Sequence, residues 1–542
     1  MLAFPLLRLL QALAPALALG AHHAKAAAIP TPCSNVDTRY GQLCAYPNAG
    51  VDRFTMPYAK PPTGANRFAD PVPLDRFDAS LDTRALPQPC AQFDPATGAT
   101  IGSEDCLYMT IYTPEGARPP HGYPKLPVLV WVHGGSFTAG GTAVLDPTAF
   151  AKSQQVIVVM VQYRLGAFGW LKADDLGVAG NFGLKDVVQA LKMVQEQITL
   201  FGGDPTRVTL AGQSSGAEIV KSLLVTPAAD SLFHRAILQS APLDYPDLSV
   251  STANTVGRHF VNDLLGLSAL ASLRSASVAS IVQAQLQLSA EALGLSTSLP
   301  DLSFAEPLKT VVDGSFVTRD FRQVISNGGQ LNVPSRNLIF TTVKEEGCAS
   351  VGQILTQPLP TEYFPAYASA FYPTRVNKIL SSGLWDPSKL KGDSDAVRKQ
   401  FSQLATDFFW TCPNHLTARS IAKASGSTNK VFVGEFTSGI PYYLDQDRAI
   451  CKSSVTHEDD ILAIFDSVPS RSNRYVWLQR QLVNQVQSRW AAFARTGEPN
   501  ADAYGGWSPV SGRDGELTGL AISPSGGALS QRTQQCAVYT YA

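Results

Sequence analysis

Short runs of aliphatic and β-branched residues alternate with helical patterns through the first half of the chain. Four runs are candidate buried strands, at 128–132, 156–161, 208–211 and 236–239. Strands that are apolar at every position are typical of a parallel sheet covered by helices on both faces. An amphipathic helical pattern over 184–198 lies between the second and third run. The sequence therefore predicts an α/β fold whose central sheet is mostly parallel, twisted and flanked by helices.

Two further candidate strands lie in the second half of the chain, at 337–343 and 430–436. The stretch 250–299 is rich in Ala, Ser and Leu and has a helical pattern, so we interpret it as an insertion that helps to build a binding pocket. No linker rich in Pro, Ser or charge divides the sequence. We therefore predict one large α/β domain over 28–542, with loops and helices inserted between its strands.

The N-terminal residues 1–27 have the pattern of a secretory signal peptide. Arg8 precedes an apolar run, and small residues that suit cleavage follow at 26–28. The apolar run is shorter than the ~20 residues that cross a membrane. We therefore predict a secreted or periplasmic protein without a stable membrane anchor.

The charge balance excludes one large class of partner. The 542 residues contain 43 Lys and Arg against 44 Asp and Glu, which gives a formal net charge of −1. Proteins that bind nucleic acids or anionic membranes by charge normally carry a basic excess. We therefore predict no nucleic-acid partner.

The sequence contains a single Gly-x-Ser-x-Gly motif, centred on Ser214. The motif follows the candidate strand 208–211 and precedes a helical pattern over 217–224. In this strand–turn–helix setting a serine hydroxyl is exposed at the edge of a sheet, where it can attack a carbonyl carbon. The alternative is a plain glycine turn, so the argument for catalysis depends on the helpers of this serine.

A serine becomes nucleophilic when a neutral histidine accepts its proton and a carboxylate orients that histidine. In strand–turn–helix sites of this kind the acid and then the histidine follow the serine. Chain order or spacing excludes His133, His234 and His259. His415 lies in a helical pattern, and His457 lies in a polar loop after the strand 430–436. His457 is therefore the best candidate base.

The acid and the oxyanion donors are expected after other strands. Glu345 and Glu346 both follow the strand 337–343, and spacing leaves the choice between them open. Gly134 and Gly135 follow the strand 128–132, where a glycine pair lets backbone N–H groups approach a reacting carbonyl. A zinc site of the H-E-x-x-H type at His457 is excluded because the second histidine position is not a histidine.

The sequence resembles the type-B carboxylesterase/cholinesterase family of α/β-hydrolases over 38–541. Besides the motifs above, the matching stretches are 56–68, 104–114, 131–137, 163–171, 180–191, 201–217, 343–347, 455–460 and 490–500. The resemblance implies an α/β-hydrolase fold with large loop and helix insertions, and an enzyme that cleaves carboxylic esters.

The resemblance also implies a role for each candidate site residue. Ser214 is then the nucleophile, Glu346 rather than Glu345 is the acid, and His457 is the base. The implied oxyanion donors are the N–H groups of Gly135, Ser136 and Ser215. Ser240, which follows the strand 236–239, matches a family serine that supports the triad without being one of its three members.

Two departures from the family pattern bear on substrate choice. Gln213 and Ser215 stand where the family usually has Glu and Ala, so Gln213 removes a negative charge beside the nucleophile. The loop between Cys90 and Cys106 has no tryptophan, whereas cholinesterases place their choline-binding aromatic residue there. The same loop lacks the long apolar flap of related fungal lipases. We therefore expect neutral, partly apolar esters as substrates.

The eight cysteines suit an oxidising compartment. The resemblance implies two disulfides, Cys90–Cys106 and Cys412–Cys536. Cys33 and Cys44 are close in sequence and would staple an N-terminal hairpin. Cys348 and Cys451 then remain, and a disulfide between them would tie the acid loop to the base loop.

Together these features predict a serine carboxylesterase that works through an acyl-enzyme, without a metal or an organic cofactor. The expected partner is a small-molecule ester, and the expected assembly is a monomer or a small homo-oligomer. Two alternatives stay open: a lipase that acts on longer-chain acylglycerols, and a non-catalytic cholinesterase-like binding protein.

Overall fold

A ten-stranded mixed sheet runs through the part of the chain that the structure describes. The computed structural model describes residues 35–76, 81–120, 124–296, 298–299, 301–302, 306–329, 331, 336–425, 428–441, 450, 454–467, 473–512, 518–524, 526, 529–530 and 532–539. The strands are β1 (Asn35–Thr38), β2 (Gly41–Cys44), β3 (Tyr46–Asn48), β4 (Val51–Pro57), β5 (Leu81–Asp82), β6 (Gln92–Asp94), β7 (Ala99–Ile101), β8 (Tyr108–Pro114), β9 (Leu126–Val132), β10 (Ile157–Val161), β11 (Lys172–Ala173), β12 (Val178–Ala179), β13 (Gly203–Gln213), β14 (Arg235–Gln239), β15 (Leu248–Ser249), β16 (Val311–Val312), β17 (Asn337–Val343), β18 (Val431–Phe436) and β19 (Leu520–Ile522).

Helices cover the sheet and fill the long connections between its strands. They are α1 (Thr148–Gln154), α2 (Gly166–Trp170), α3 (Phe182–Gln197), α4 (Ser215–Leu223), α5 (Val250–Arg258), α6 (Leu270–Ser275), α7 (Val278–Leu295), α8 (Phe321–Ser326), α9 (Gly347–Ile354), α10 (Phe364–Phe371), α11 (Val376–Ser382), α12 (Ala396–Ala405), α13 (Cys412–Ser425), α14 (Ile461–Phe465), α15 (Asn473–Thr496) and α16 (Thr533–Val538). Two π-helical segments, His259–Leu264 and Thr406–Thr411, follow α5 and α12.

The strand order of the large sheet is β19-β18-β17-β14-β13-β9-β10-β8-β4-β3. Neighbours from β19 to β10 in this order pair in parallel. Strands β8, β4 and β3 form an antiparallel edge. The prediction of a mostly parallel sheet in an α/β fold is therefore confirmed.

The continuous apolar runs are explained by burial on both faces. Along β9, Val128, Val130 and Val132 pack into one core cluster, whereas Leu129 and Trp131 pack into a second cluster. Successive side chains of a strand point to opposite faces, so a strand covered on both sides must be apolar throughout. The six predicted strands correspond to β9, β10, β13, β14, β17 and β18.

The predicted helices also occur, and the structure adds others. The pattern over 184–198 corresponds to α3, and the insertion at 250–299 contains α5, α6 and α7. The sequence pattern did not identify the antiparallel edge or the helices α10 to α13. Because β9, β13, β14, β17 and β18 run in parallel, their carboxyl ends meet at one edge of the sheet, and each candidate site residue follows one of these ends.

Two predicted disulfides are present in the structure. Cys90 and Cys106 are joined with an S–S distance of 2.02 Å, and Cys412 and Cys536 with 1.97 Å. Cys33 and Cys451 lie outside the described residues, so the other two pairings stay predictions. The predicted signal peptide also lies outside the described residues, and the single domain over 28–542 stays a prediction. No helix in the described ranges is long and apolar enough to cross a membrane.

Candidate active site

Ser214 lies on a sharp turn between β13 and α4. Its φ of 56° and ψ of −127° place a non-glycine residue in a sparsely populated backbone region. Two hydrogen bonds hold this turn: the Ser214 N–H donates to the carbonyl of Gln239 (2.9 Å), and the Ser214 carbonyl accepts from the N–H of Glu218 (3.0 Å). Gly216 allows the turn to approach β9, because a Cβ there would lie 2.2 Å from the carbonyl oxygen of Val132. Gly216, the second glycine of the motif, is therefore needed for the close packing of this turn against β9.

Glu346 follows the carboxyl end of β17 and is completely buried. One carboxyl oxygen, Oε1, accepts a hydrogen bond from the N–H of Val343 (2.8 Å), and the other, Oε2, lies 2.5 Å from Nδ1 of His457. The neighbouring Glu345 contacts the loop of His457 through its backbone, because its N–H donates a hydrogen bond to the carbonyl of Val455 (3.0 Å). This bridge joins the acid loop to the base loop. The structure thus brings Glu346, and not Glu345, to the histidine.

His457 lies in the loop between β18 and α14, and its side chain is 12% exposed. Its ring centroid lies 5.5 Å from that of Trp410. Its Nε2 lies 3.3 Å from Nε2 of Gln213, the residue before Ser214. Among the described residues, Ser214 and His457 line the same cavity but share no hydrogen bond. In enzymes without substrate such catalytic hydrogen bonds are often long and tighten only in the substrate complex.

The electrostatic environment favours a charged His457. Burial lowers the pKa of the imidazole, but the carboxylate of Glu346, with its charge and its hydrogen bond, more than reverses this effect, and the pKa rises to about 9. In the neutral ring the proton stays on Nδ1, where it is donated to Glu346. The lone pair of Nε2 then faces the amide of Gln213. This is the tautomer that a general base needs.

The loop after β9 carries an unusual series of backbone conformations. Gly135, Ser136 and Phe137 have φ values of 114°, 50° and 59°. This loop lies against the candidate nucleophile, because a Cβ on Gly134 would lie 3.0 Å from Cβ of Ser214. A glycine is therefore required where the loop meets the serine.

Three N–H groups beside Ser214 are available to an oxyanion. In the described part of the chain, no backbone carbonyl accepts a hydrogen bond from Gly135, Ser136 or Ser215. Ser215 is the first residue of α4, so its N–H has no partner within the helix. Gly135 and Ser136 line the same cavity as Ser214, Ser215 directly follows Ser214 in the chain, and their role as oxyanion donors stays a prediction.

A cavity of about 410 Å³ opens above these residues. The predicted insertion contributes Ser289 and Leu293 from α7 to its wall. A larger apolar part of the wall was not predicted, because it comes from helices α9, α10 and α12, the residues that directly follow α9 and α10, and the π-helical segment Thr406–Thr411. Its members include Ala349, Val351, Ile354, Leu355, Phe371, Tyr372, Phe401, Ala405, Phe409 and Trp410.

The structure identifies supporting residues that the sequence did not. Gln239 donates from Nε2 to Oδ2 of Asp460 (2.6 Å) and accepts from Nε1 of Trp490 (3.0 Å). Asp460 is fully buried three residues after His457, and burial, reinforced by the charge of Glu346, raises its pKa to about 7. The acidic run at 458–460 was the only sequence signal for the set formed by Gln239, Asp460 and Trp490.

Ser240 is buried beside the site, and its predicted supporting role stays a prediction. Its hydroxyl has no hydrogen-bond partner in the described part of the structure, so it makes no contact of this kind with the acid or the base. Its carbonyl oxygen accepts a hydrogen bond from Nε1 of Trp410 (3.0 Å), and the ring of Trp410 faces His457. Trp410 itself carried no recognisable sequence signal, because it lies in a helical pattern.

The described residues do not contain a cluster of three or more His, Cys, Asp or Glu side chains that could hold a metal ion. The fold and the site define an α/β-hydrolase: a mostly parallel sheet carries a serine turn after β13, a glutamate after β17 and a histidine after β18.

Comparisons with known proteins agree with this class. The Carboxylesterase family pattern matches residues 32–539. The human cocaine esterase is 30% identical over 512 residues, which cover 89% of this chain and 85% of that protein. The mouse acylcarnitine hydrolase is 29% identical, covering 88% of this chain and 85% of that protein. A solved PNB esterase structure superposes with a TM-score of 0.69 at 26% identity, covering 88% of this chain and 93% of that one.

The chain therefore belongs to the carboxylesterase family. It is a carboxylic ester hydrolase whose substrates are small-molecule esters.

Proposed function

We propose that Ser214 is the nucleophile of a two-step ester hydrolysis with His457 as the base and Glu346 as the acid. The observation that carries this proposal is the 2.5 Å contact between Glu346 Oε2 and His457 Nδ1, in a cavity that Ser214 also lines. A carboxylate in this position fixes the tautomer of the imidazole and stabilises the imidazolium that forms.

In the first step Ser214 Oγ attacks the ester carbonyl carbon while Nε2 of His457 accepts the hydroxyl proton. The amide of Gln213, now 3.3 Å from Nε2, gives way to this hydroxyl as substrate binds. The negative carbonyl oxygen of the tetrahedral intermediate accepts hydrogen bonds from the backbone. The donors are the N–H groups of Gly135, Ser136 and Ser215. Each such donor typically contributes ~2.7–4 kcal/mol to transition-state stabilisation.

The intermediate then collapses and the C–O bond to the alcohol breaks, which completes the first step. His457 returns its proton to the departing alcohol, which leaves an ester between the acyl group and Ser214. In the second step water attacks this ester while His457 takes its proton, and the new tetrahedral intermediate collapses as His457 returns that proton to Ser214 Oγ, which releases the acid product and the free serine. No other group is needed to balance the reaction.

The test is turnover of p-nitrophenyl butyrate by Ser214→Ala, with Ser251→Ala on the exposed face of α5 as a matched control. We expect a loss of at least about 10³-fold in kcat for the first variant and unchanged turnover for the second. A fluorophosphonate probe should label a single peptide that contains Ser214. Residual turnover of Ser214→Ala within tenfold of the native rate, or probe on another serine, would overturn the proposal.

A comparison of short-chain and long-chain substrates distinguishes an esterase from a lipase. The apolar wall formed by Phe371, Phe401 and Phe409 suits acyl chains, and a cavity of about 410 Å³ is of the size that holds a small ligand. We therefore expect a higher kcat/KM for dissolved short-chain esters than for emulsified long-chain acylglycerols. The opposite preference would identify a lipase.

Export is also part of the proposal. It is supported by the pattern of residues 1–27 and by the disulfides Cys90–Cys106 and Cys412–Cys536, which persist in oxidising compartments. N-terminal sequencing of the protein collected outside the cytoplasm should begin near residue 28. An intact Met1 in that fraction would contradict the signal peptide.

A further inference from the structure

A cluster of ionisable side chains is buried behind the wall of the catalytic cavity. Its members are Glu218, Lys221, Asp247, Glu306 and Lys309, and none is more than 5% exposed. Glu218 and Lys221 lie on α4, the helix that begins directly after Ser214. Charged side chains are rarely buried so completely unless they are paired, so the pairing within this cluster is informative.

The pairing is incomplete. Lys221 Nζ lies 2.9 Å from Asp247 Oδ1 and 3.8 Å from Glu218 Oε2. Three atoms of the cluster have no hydrogen-bond partner among the described residues: Glu218 Oε1, Glu306 Oε2 and Lys309 Nζ. A buried polar atom without a partner costs free energy, which a ligand that supplies the partner recovers.

The cluster also contains more acids than bases, three carboxyl groups against two amines. Burial raises the pKa of Glu218 and of Glu306, and the charge of Glu306 raises that of Glu218 further. Burial lowers the pKa of Lys309. Without a further positive charge, the cluster therefore favours a proton shared by the two glutamates. A ligand that brings a positive charge would replace it.

Glu306 is the member of the cluster that reaches the cavity. It lines the cavity together with Ser136, and its carboxyl group interacts with the hydroxyl of that serine in the oxyanion loop. The other acidic residues in the wall are Asp94 and Glu458, and no lysine or arginine of the described chain lines the cavity. Apart from His457, a positively charged group on a bound ester would therefore meet only acidic or neutral side chains.

We infer that Glu306 is a specificity-determining residue that binds a protonated amine of the substrate, so that the preferred esters carry an ammonium group with N–H bonds near the reacting carbonyl. Among the described residues, the proton shared with Glu218 is the only donor to Glu306 Oε2 and the only charge that offsets the excess of acid. A protonated primary or secondary amine supplies both, a quaternary ammonium supplies only the charge, and a hydroxyl supplies only the donor. This inference rests on the proposed hydrolysis at Ser214, and it differs from the sequence-based expectation of neutral esters.

The test compares matched p-nitrophenyl acyl esters with the native enzyme and with Glu306→Gln. One ester carries a primary ammonium at the end of a short acyl chain, a second carries trimethylammonium, and a third is the uncharged methyl isostere. For the native enzyme we expect kcat/KM for the primary ammonium ester to exceed that for the neutral ester by roughly 10- to 100-fold, the value of a charge-assisted hydrogen bond. The trimethylammonium ester should fall between them.

In Glu306→Gln the preference for the primary ammonium ester should drop at least tenfold. Glu115→Gln changes the net charge by the same amount in a surface turn and should retain the native preference. The native comparison does not depend on whether the variant folds. Equal kcat/KM for the charged and neutral esters in the native enzyme, or an unchanged preference in a folded Glu306→Gln, would overturn the inference. Neutral-ester turnover that persists in Ser214→Ala would instead overturn the proposed function.

Discussion

Nε2 of His457 lies 3.3 Å from the side-chain nitrogen of Gln213, on the ring atom that must receive the proton of Ser214. Gln213 is buried, and its amide is neutral, so it can donate to the neutral imidazole without stabilising the imidazolium. A carboxylate at the same position would stabilise the imidazolium by its charge. The residue before the nucleophile therefore affects how readily the base loses its proton.

Gln213→Glu should raise the pKa of His457 further, because an opposite charge within ~4–6 Å favours the protonated ring. Since catalysis needs the neutral ring, the acid limb of the kcat/KM profile should move to higher pH. A shift of about one unit would reduce kcat/KM about tenfold on the acid limb. The pH profile of p-nitrophenyl butyrate hydrolysis measures this. Gln213→Met removes the amide without adding charge, and an equal shift in both variants would contradict the electrostatic explanation.

Glu346→Gln should shift the acid limb in the opposite direction. The carboxylate raises the pKa of His457 to about 9 against the effect of burial, so its removal lowers that pKa and extends the neutral ring to lower pH. The plateau of kcat should nevertheless fall by about 10⁴-fold, because an amide no longer fixes the tautomer or stabilises the imidazolium.

The same profile, measured with Glu345→Gln, is the control for the Glu346 variant. Glu345 precedes Glu346 in the same loop but contributes its backbone N–H rather than its carboxyl group to the bridge. We expect less than a threefold change in kcat for this variant. A larger loss in Glu345→Gln than in Glu346→Gln would reverse the assignment of the acid.

The two observed disulfides should differ in their contribution to stability. Cys412 and Cys536 are separated by 124 residues, and Cys90 and Cys106 by 16. In the chain-entropy description, closing the longer loop contributes about 5 kcal/mol to the free energy of unfolding and the shorter one ~3 kcal/mol. Chemical denaturation of the two double Cys→Ser variants should reproduce this order. Equal losses would indicate that strain or residual structure, and not loop length, decides the contribution.

Much of the fold could be predicted because its physical cause is local. Residues 128–132 had to be buried on both faces, since both faces of β9 carry large apolar side chains, and the structure divides them between two core clusters. The edge of the sheet at which Ser214, Glu346 and His457 meet follows from the parallel direction of β13, β17 and β18. Motif and topology together were therefore sufficient to locate the site.

The surroundings of the site could not be predicted in the same way. Trp410 contacts His457 from a π-helical segment whose sequence resembles any buried helix. Gln239 bridges Asp460 and Trp490, residues more than 200 positions away in the chain. Glu306 is a candidate binding residue only because of the buried charged side chains that surround it. These contacts arise from tertiary packing, which leaves no periodic pattern in the sequence.

The approach of Gly134 to Ser214 gives a direct test of the oxyanion loop. A Cβ at Gly134 would lie 2.8 Å from the carbonyl oxygen of Gln213 and 3.0 Å from Cβ of Ser214, so Gly134→Ala must push the loop away from the nucleophile. The displaced N–H donors should then cost about 10²- to 10³-fold in kcat. Gly505→Ala, whose Cβ would meet no atom within 4 Å, should keep the native rate. Native kcat in a folded Gly134→Ala would show that the loop does not hold the oxyanion, and circular dichroism and the thermal midpoint establish the folding of both variants.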